Sequence, residues 1–144
     1  MKFISNSNDL SKFLEKSIKK NIKIKSISTD SRTLKKDSLF IAIKGNFFDG
    51  NDYIEEAFKR GSCLAITDNK KFKHSKNKKV IYVNSSLLAL KKITKNIIKQ
   101  YEGNIIGITG SNGKTTTTMI ISNCLKSSSS TLKNFNNEIG MPLS

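Results

Sequence analysis

The chain has 144 residues, 36% of them hydrophobic, and a formal net charge of +15, which suits one globular domain, or one small domain with part of another. Nearly all the positive charge is lysine, since Arg32 and Arg60 are the only arginines. A nucleic-acid binder would be expected to use arginine and exposed aromatics for bidentate and stacking contacts, so the charge argues against nucleic acid as the main partner. No apolar run approaches the ~18 residues of a membrane span, and residues 1–10 hold no apolar signal core. Cys63 and Cys124 are too few for a disulfide framework or a zinc site, which points to a cytoplasmic protein with reduced thiols.

In chain order, residues 9–20 carry Leu10, Phe13, Leu14 and Ile18 at helical spacing, with Asn8 or Asp9 as the cap. Ile22, Ile24 and Ile27 suggest a short strand that runs into Asp30-Ser31-Arg32. A near-continuous apolar strand follows at 39–43, then a loop at 45–50. Residues 52–60 read as a helix with Tyr53, Ile54, Ala57 and Phe58 inward and Gly61 as its stop. Strands are expected at 63–67 and 80–83, separated by a solvated lysine-rich loop at 70–79 that holds His74, the only histidine. Asn84 or Ser85 caps a long helix to about residue 100, with Leu87, Leu90, Ile93, Ile97 and Tyr101 on its apolar face. Helices alternate with strands, so the fold class is α/β.

The richest stretch begins at Ile105. An apolar run rich in β-branched residues ends at Gly110, a polar loop of Ser111, Asn112 and Gly113 follows, and Lys114-Thr115-Thr116 opens a helical segment that carries Met119, Ile120, Cys124 and Leu125. This is the strand–loop–helix layout of a phosphate cradle. Glycines admit backbone N–H groups close to phosphate oxygens, and the helix dipole favours the anion. Lys114 would reach the β- and γ-phosphates of ATP, and the Thr115 hydroxyl would hold Mg²⁺. One irregularity stands out: the general pattern wants glycine at the position of Ile108, leaving the tighter Thr-Gly-x-x-Gly-Lys-Thr form. The bland alternative, a polar turn with a stray lysine, is weakened by the expected strand and helix on either side. Gly103 is the expected domain boundary, because a phosphate cradle usually follows the first strand of its own domain. Only residues 115–144 follow the loop lysine, whereas a parallel nucleotide domain needs on the order of 100 or more residues. The chain is therefore expected to be the front of a longer enzyme. Asp68 has the look of a metal-supporting carboxylate, but it lies upstream of the loop, and its expected role is to end a core strand.

Several segments together resemble the Mur ligases, the ATP-dependent amide-forming enzymes of peptidoglycan synthesis. Residues 109–116 resemble their ATP loop, which uses the tight form. Asp30-Ser31-Arg32, the stretch 39–45, Asp49-Gly50, Tyr53-Ile54, Ala57 and Gly61 resemble their substrate domain. Residues 134–143, with Asn136 and Asn137, are similar to an Asn-x-Asn-Asn-x-x-Gly-x-Pro stretch of one branch. That branch joins D-alanyl-D-alanine to UDP-N-acetylmuramoyl-tripeptide. The branch that adds the third residue to the UDP-linked dipeptide would be expected to show Asn-Thr-Thr-Pro there. Thr115 argues against the folylpolyglutamate synthetases, which usually have glycine after the loop lysine.

The resemblance implies a substrate domain at 1–102 that binds the UDP-N-acetylmuramoyl-peptide, followed at 103–144 by the start of a central ATP-binding domain with its P-loop strand and helix. It implies Lys114 as the catalytic lysine, with Gly110, Ser111, Asn112, Gly113, Lys114, Thr115 and Thr116 around ATP and Thr115 on Mg²⁺. Ser31, Arg32, Asn136 and Asn137 would touch the UDP-linked substrate. The bland readings stand beside these: Asp30 bonding nearby backbone in a strand-end turn, Asp49-Gly50 as a turn, the asparagines as loop residues, His74 as a solvated side chain and Cys124 as core. The full-length enzyme is expected to be a monomer, and the 144 residues alone are expected not to ligate. An exposed strand and helix after Gly103 would leave apolar surface uncovered. Two alternatives come from other classes, a non-catalytic ATP-binding module and a basic polyanion binder.

Overall fold

The computed structural model describes residues 4, 6–18 and 21–130. The chain divides into two compact units, Met1–Gln100 and Tyr101–Ser144.

The first unit is built on four strands, β1 (Ser26–Ser28), β2 (Ser38–Ile41), β3 (Ser62–Thr67) and β4 (Val80–Tyr82), which pair in that order, every pair parallel. Right-handed crossovers between parallel strands laid side by side in sequence order put all the connections on one face. The packing bears this out. Leu34 from the first connection, Ile54, Ala57 and Phe58 of α2 (Ile54–Lys59) from the second, and Phe72 from the third all pack with Phe40, Ala42 and Ala65 in one apolar cluster. Side chains alternate along a strand, so Leu39, Ile41, Leu64 and Ile66 point to the opposite face, and all four are fully buried. The helices that precede and follow the sheet, α1 (Ser7–Leu14) and α3 (Ser86–Lys99), pack on each other and add Leu10, Leu90 and Ile93 to the buried set. Lys92 pairs with Glu15 at 2.9 Å, and the Lys16 ammonium donates to the Tyr82 carbonyl at 2.6 Å.

Several elements differ from the sequence reading. Helix α1 starts earlier and stops sooner than 9–20. Asn6 is the cap and Asp9 closes a reciprocal capping box on it, so Asp9 belongs to the first turn. Glu15 takes a left-handed conformation with φ 54° and ends the helix before Ile18. The strand expected around Ile22 and Ile24 begins only at Ser26; Lys23 forms an isolated antiparallel bridge with Asn6 instead. Helix α2 is preceded by a 3₁₀ turn, Gly50–Tyr53, whose cap Asp49 accepts the Asn51 N–H at 2.9 Å. The turn swings Tyr53 outward, so it is partly exposed rather than inward. Ser85 caps α3 as expected, and its hydroxyl accepts the Leu88 N–H. The lysine-rich loop is exposed, His74 included, and contains one 3₁₀ turn, Lys70–Phe72.

In the second unit, α4 (Lys114–Cys124) forms where expected. The apolar run before it carries no strand ladder, and Ile105 and Ile106 are exposed. A strand is completed by hydrogen bonds to a neighbour, and none of the described residues of this unit forms one. Cys124, expected in a core, is exposed, as are Met119 and Ile120. Met119, Ile120 and Ile121 are consecutive, so they spread around the helix instead of forming one stripe. The strand suggested at Thr131 lies outside the described residues.

Gly50 sits where only glycine fits. A Cβ there would lie 2.7 Å from both the backbone N and O of Ile43. At Gly45 the nearest atom to a Cβ is the Phe48 carbonyl oxygen at 3.4 Å. Gly50→Ala is therefore expected to lower unfolding free energy by about 2 kcal/mol or more, and Gly45→Ala by less than about 1 kcal/mol. Urea melts of the two variants check the difference.

Candidate functional site

All four parallel strands end at one edge of the sheet, where open α/β folds bind ligands between loops. The loop after β1 carries Asp30, Ser31 and Arg32. Asp30 caps the 3₁₀ turn Ser31–Thr33, its Oδ1 accepting the Arg32 N–H at 2.9 Å. The same carboxylate takes the side of the guanidinium, with Nε to Oδ1 at 2.9 Å and Nη2 to Oδ2 at 2.8 Å. The segment is thus the strand-end turn its sequence allowed, and it also presents a cation: Ser31 is buried, whereas the Arg32 side chain is 79% exposed. Arg60, paired with Glu56 at 2.8 Å, donates from Nη1 to the Arg32 carbonyl at 3.5 Å.

The loop after β2 closes on itself. Lys44 and Asp49 form an antiparallel bridge, and the Gly45 N–H donates to the Phe48 carbonyl at 2.8 Å. This puts Phe47 and Phe48 at the tip with both rings exposed. Neither was singled out from the sequence. The available signal was a pair of aromatics inside a polar loop bounded by Gly45 and Gly50, where a core residue would be out of place.

Behind these loops runs a buried polar network. Thr67 Oγ1 donates to Asn51 Oδ1 at 2.5 Å, and Asn51 Nδ2 donates to Asp49 Oδ1 at 2.7 Å and Asp68 Oδ1 at 3.3 Å. Asp68 Oδ2 accepts the Ser86 N–H at 3.0 Å. Asp68 follows the end of β3, as expected of it, and also accepts the first amide of α3, which the sequence reading did not include. Among the described residues no group of three or more His, Cys, Asp and Glu is arranged to hold a metal.

The second unit carries the loop whose sequence reads as a phosphate cradle. Gly113 sits at φ 77°, a left-handed conformation that favours glycine, and directly precedes α4 without any side-chain cap. The first intrahelical bond runs from Thr117 N–H to the Gly113 carbonyl at 2.9 Å, which leaves the amides of Lys114, Thr115 and Thr116 without intrahelical acceptors. The Lys114 ammonium folds back and donates to the carbonyls of Gly110 and Ser111. Ser111, Asn112, Thr115 and Thr116 are exposed around it. Uncapped first-turn amides, a lysine over the loop and an exposed Thr115 hydroxyl fit a nucleotide phosphate and a hard cation. The structure brings residues 110–116 together and, separately, Ser31 with Arg32. Asn136 and Asn137 lie outside the described residues.

Residues 23–102 match the Mur ligase family, catalytic domain, and residues 108–144 match the Mur ligase middle domain. The chain belongs to the Mur ligase family. It is 39% identical over 123 residues to the UDP-N-acetylmuramoyl-tripeptide–D-alanyl-D-alanine ligase of Bacillus subtilis (strain 168), covering 83% of this chain and 27% of that ligase. It is 43% identical over 95 residues to the UDP-N-acetylmuramoyl-L-alanyl-D-glutamate–2,6-diaminopimelate ligase of Rickettsia prowazekii, covering 66% of this chain and 19% of the relative. Among solved structures it resembles the MurF ligase of Thermotoga maritima in complex with ADP, at 34% identity and TM-score 0.69 over 83% of this chain and 28% of that one. It also resembles the D-alanyl-D-alanyl ligase of Acinetobacter baumannii, at 27% identity and TM-score 0.78 over 96% of this chain and 32% of that one. The chain thus spans about a third or less of the length of these Mur ligases. Among the described residues no helix is long and apolar enough to cross a membrane.

The Asp30 carboxyl is held below its ordinary value of 3.8, first by its hydrogen bonds to the Arg32 side chain. Lys25 does the same to Asp37 and Lys92 to Glu15. A depressed folded-state pKa contributes stability that is present above the unfolded value and is lost as pH falls through the folded one. The thermal midpoint is therefore expected to hold between about pH 7 and 5 and to fall below about pH 4. Asp30→Asn is expected to flatten part of that acid slope, measurable by thermal melts across pH. The change should be small, because all three pairs are solvent-screened.

Proposed function

We propose that the chain belongs to an ATP-dependent ligase that joins D-alanyl-D-alanine to UDP-N-acetylmuramoyl-tripeptide in the cytoplasm, and that the full-length enzyme acts as a monomer. The observation that carries the reading is the phosphate loop. Gly113 opens the first-turn amides of α4, and Lys114 lies over the loop, in a chain similar to a MurF ligase solved with ADP. Residues 1–102 would bind the UDP-linked peptide, and 103–144 would begin the ATP-binding domain. Amides from Gly110 to Thr116 would hold the β-phosphate, Lys114 would lie between the β- and γ-phosphates, and Thr115 would hold Mg²⁺. Bound ATP supplies the phosphoryl group and Mg²⁺ screens its charge. The terminal carboxylate of the tripeptide would attack the γ-phosphorus and release ADP, and the dipeptide amine would then attack the acyl phosphate, losing a proton and expelling phosphate to form the amide. Ser111 and Asn112 would face the approaching γ-phosphate or acyl group. Ser31, Arg32, Asn136 and Asn137 would contact the UDP-linked substrate, with Phe47 and Phe48 offering ring faces to its base.

The 43% identity to the diaminopimelate-adding ligase favours a second reading. In that reading the substrate is the UDP-linked dipeptide and the incoming group is the third amino acid.

Calorimetry with Mg-ATP tests the loop: Lys114→Ala is expected to weaken binding at least about tenfold, and equal binding by the variant would remove nucleotide binding at this loop from the reading. Titration with UDP-linked tripeptide and dipeptide separates the two ligase readings, the first requiring the tripeptide to bind tighter. Given ATP, UDP-tripeptide and D-alanyl-D-alanine, the 144 residues alone are expected to form no ADP that depends on both substrates, read by a coupled ADP assay. A steep salt dependence of polyanion binding that survives Lys114→Ala would instead favour the polyanion reading.

A further inference from the structure

We infer that Asp30 is a positioning residue, which locks the Arg32 guanidinium so that its outer edge meets an oxyanion of the UDP-linked substrate. The inference rests on the reading that the edge carrying Arg32 binds that substrate.

The guanidinium has five N–H donors in a fixed plane. Asp30 takes the side edge, Nε and Nη2, through both of its oxygens. Among the described residues nothing accepts from Nη1, so the outer edge, one hydrogen each from Nη1 and Nη2, is left as a two-pronged fork. A phosphate or a carboxylate matches that fork in bidentate fashion. An arginine that is 79% exposed would ordinarily sample many rotamers, and ordering it on binding would cost entropy. Asp30 fixes it beforehand from both ends, because the carboxylate that grips the side chain also accepts the Arg32 backbone N–H at 2.9 Å. Arg60 donates to the Arg32 carbonyl, which steadies the same turn.

A bystander carboxylate would have the opposite effect on binding. Placed near a bound anion it repels it, and at roughly 6 Å in a water-like dielectric its removal would tighten binding about threefold. Positioning predicts weaker binding when Asp30 loses its charge, so the sign of the effect separates the two roles.

The test is a double-mutant cycle on the 144-residue chain, with UDP and UDP-N-acetylmuramoyl-tripeptide as probes in calorimetry at low salt. Asp30→Asn keeps an oxygen to cap the turn but loses the charged fork, and is expected to weaken binding about three- to tenfold. Arg32→Ala is expected to weaken it at least as much, and Asp30→Asn should then add nothing in the Arg32→Ala background. Asp30→Ser, which also retains a capping oxygen, repeats the measurement if the asparagine variant folds poorly. Losses with both probes identify the oxyanion as phosphate, and a loss with the UDP-peptide alone identifies a peptide carboxylate; both uphold the positioning role. If Arg32→Ala weakens binding but Asp30→Asn leaves it unchanged or tightens it, Asp30 is a bystander and the substrate reading stands. Additive losses in the double variant likewise overturn positioning through Arg32. If the unsubstituted chain binds neither probe, the substrate reading of this edge fails, and the inference with it.

Discussion

A single buried amide fixes the edge of the sheet on which the loops after β1 and β2 stand. Asn51 receives the Thr67 hydroxyl at its oxygen and spends its two N–H groups on Asp49 and Asp68. The oxygen and both N–H groups of that side chain are engaged, so its orientation is determined and cannot flip without loss. Leaving one such group unpaired in the interior costs on the order of 1–3 kcal/mol. Through it the end of β3 holds the loop that follows β2, and Asp68 passes the constraint on to the first turn of α3. The tip with Phe47 and Phe48 is therefore a loop on a rigid footing. Its base is pinned at Asp49, and Gly50 lies against the Ile43 backbone, where no side chain fits.

The phosphate loop is held by other means. Its shape comes from residues a few positions apart: the left-handed Gly113, the Lys114 ammonium on the carbonyls of Gly110 and Ser111, and the Thr118 hydroxyl on the Lys114 carbonyl. A phosphate cradle of this kind is encoded locally. That explains why it forms in a unit where Ile105, Ile106, Met119 and Ile120 are exposed. Local encoding also made the loop the most readable feature of the sequence. A loop shaped only by its own near neighbours does not by itself position a second reactant.

What was legible in the sequence follows this division. The central strands, α3 with its Ser85 cap, and the start of α4 declare themselves through apolar runs and cap chemistry, which are near-neighbour signals. The end of α1 was not legible, because Glu15 in a left-handed conformation has no sequence mark of the kind glycine gives. The run at Ile105 has every intrinsic mark of a strand, yet strand formation depends on a neighbour that composition does not reveal. Cys124 was misjudged for the same reason, since burial is a property of what covers a face. At the same edge of the sheet, Asp30-Ser31-Arg32 could be read as a turn, but not that Asp30 grips both ends of Arg32. Asn51 and Thr67 gave no signal, since their pairing joins residues 16 positions apart.

The two arginines make the final point about charge. In a chain whose other cations are all lysines, both arginines meet at the same corner: Arg32 on Asp30, Arg60 on Glu56, and Arg60 reaching the Arg32 carbonyl. A lysine in place of Arg32 would pair with Asp30 as a point charge and could not grip both carboxylate oxygens side-on while keeping a second edge in the same plane. The lysine surplus is solvated charge, spread over exposed loops such as residues 70–79. It raises the field around the molecule and attracts anions without selecting among them. A planar donor held in a fixed orientation, as Asp30 holds the Arg32 guanidinium, presents one geometry to an anion, which a solvated ammonium does not. The net charge of +15 therefore says less about what the protein recognises than the placement of these two side chains.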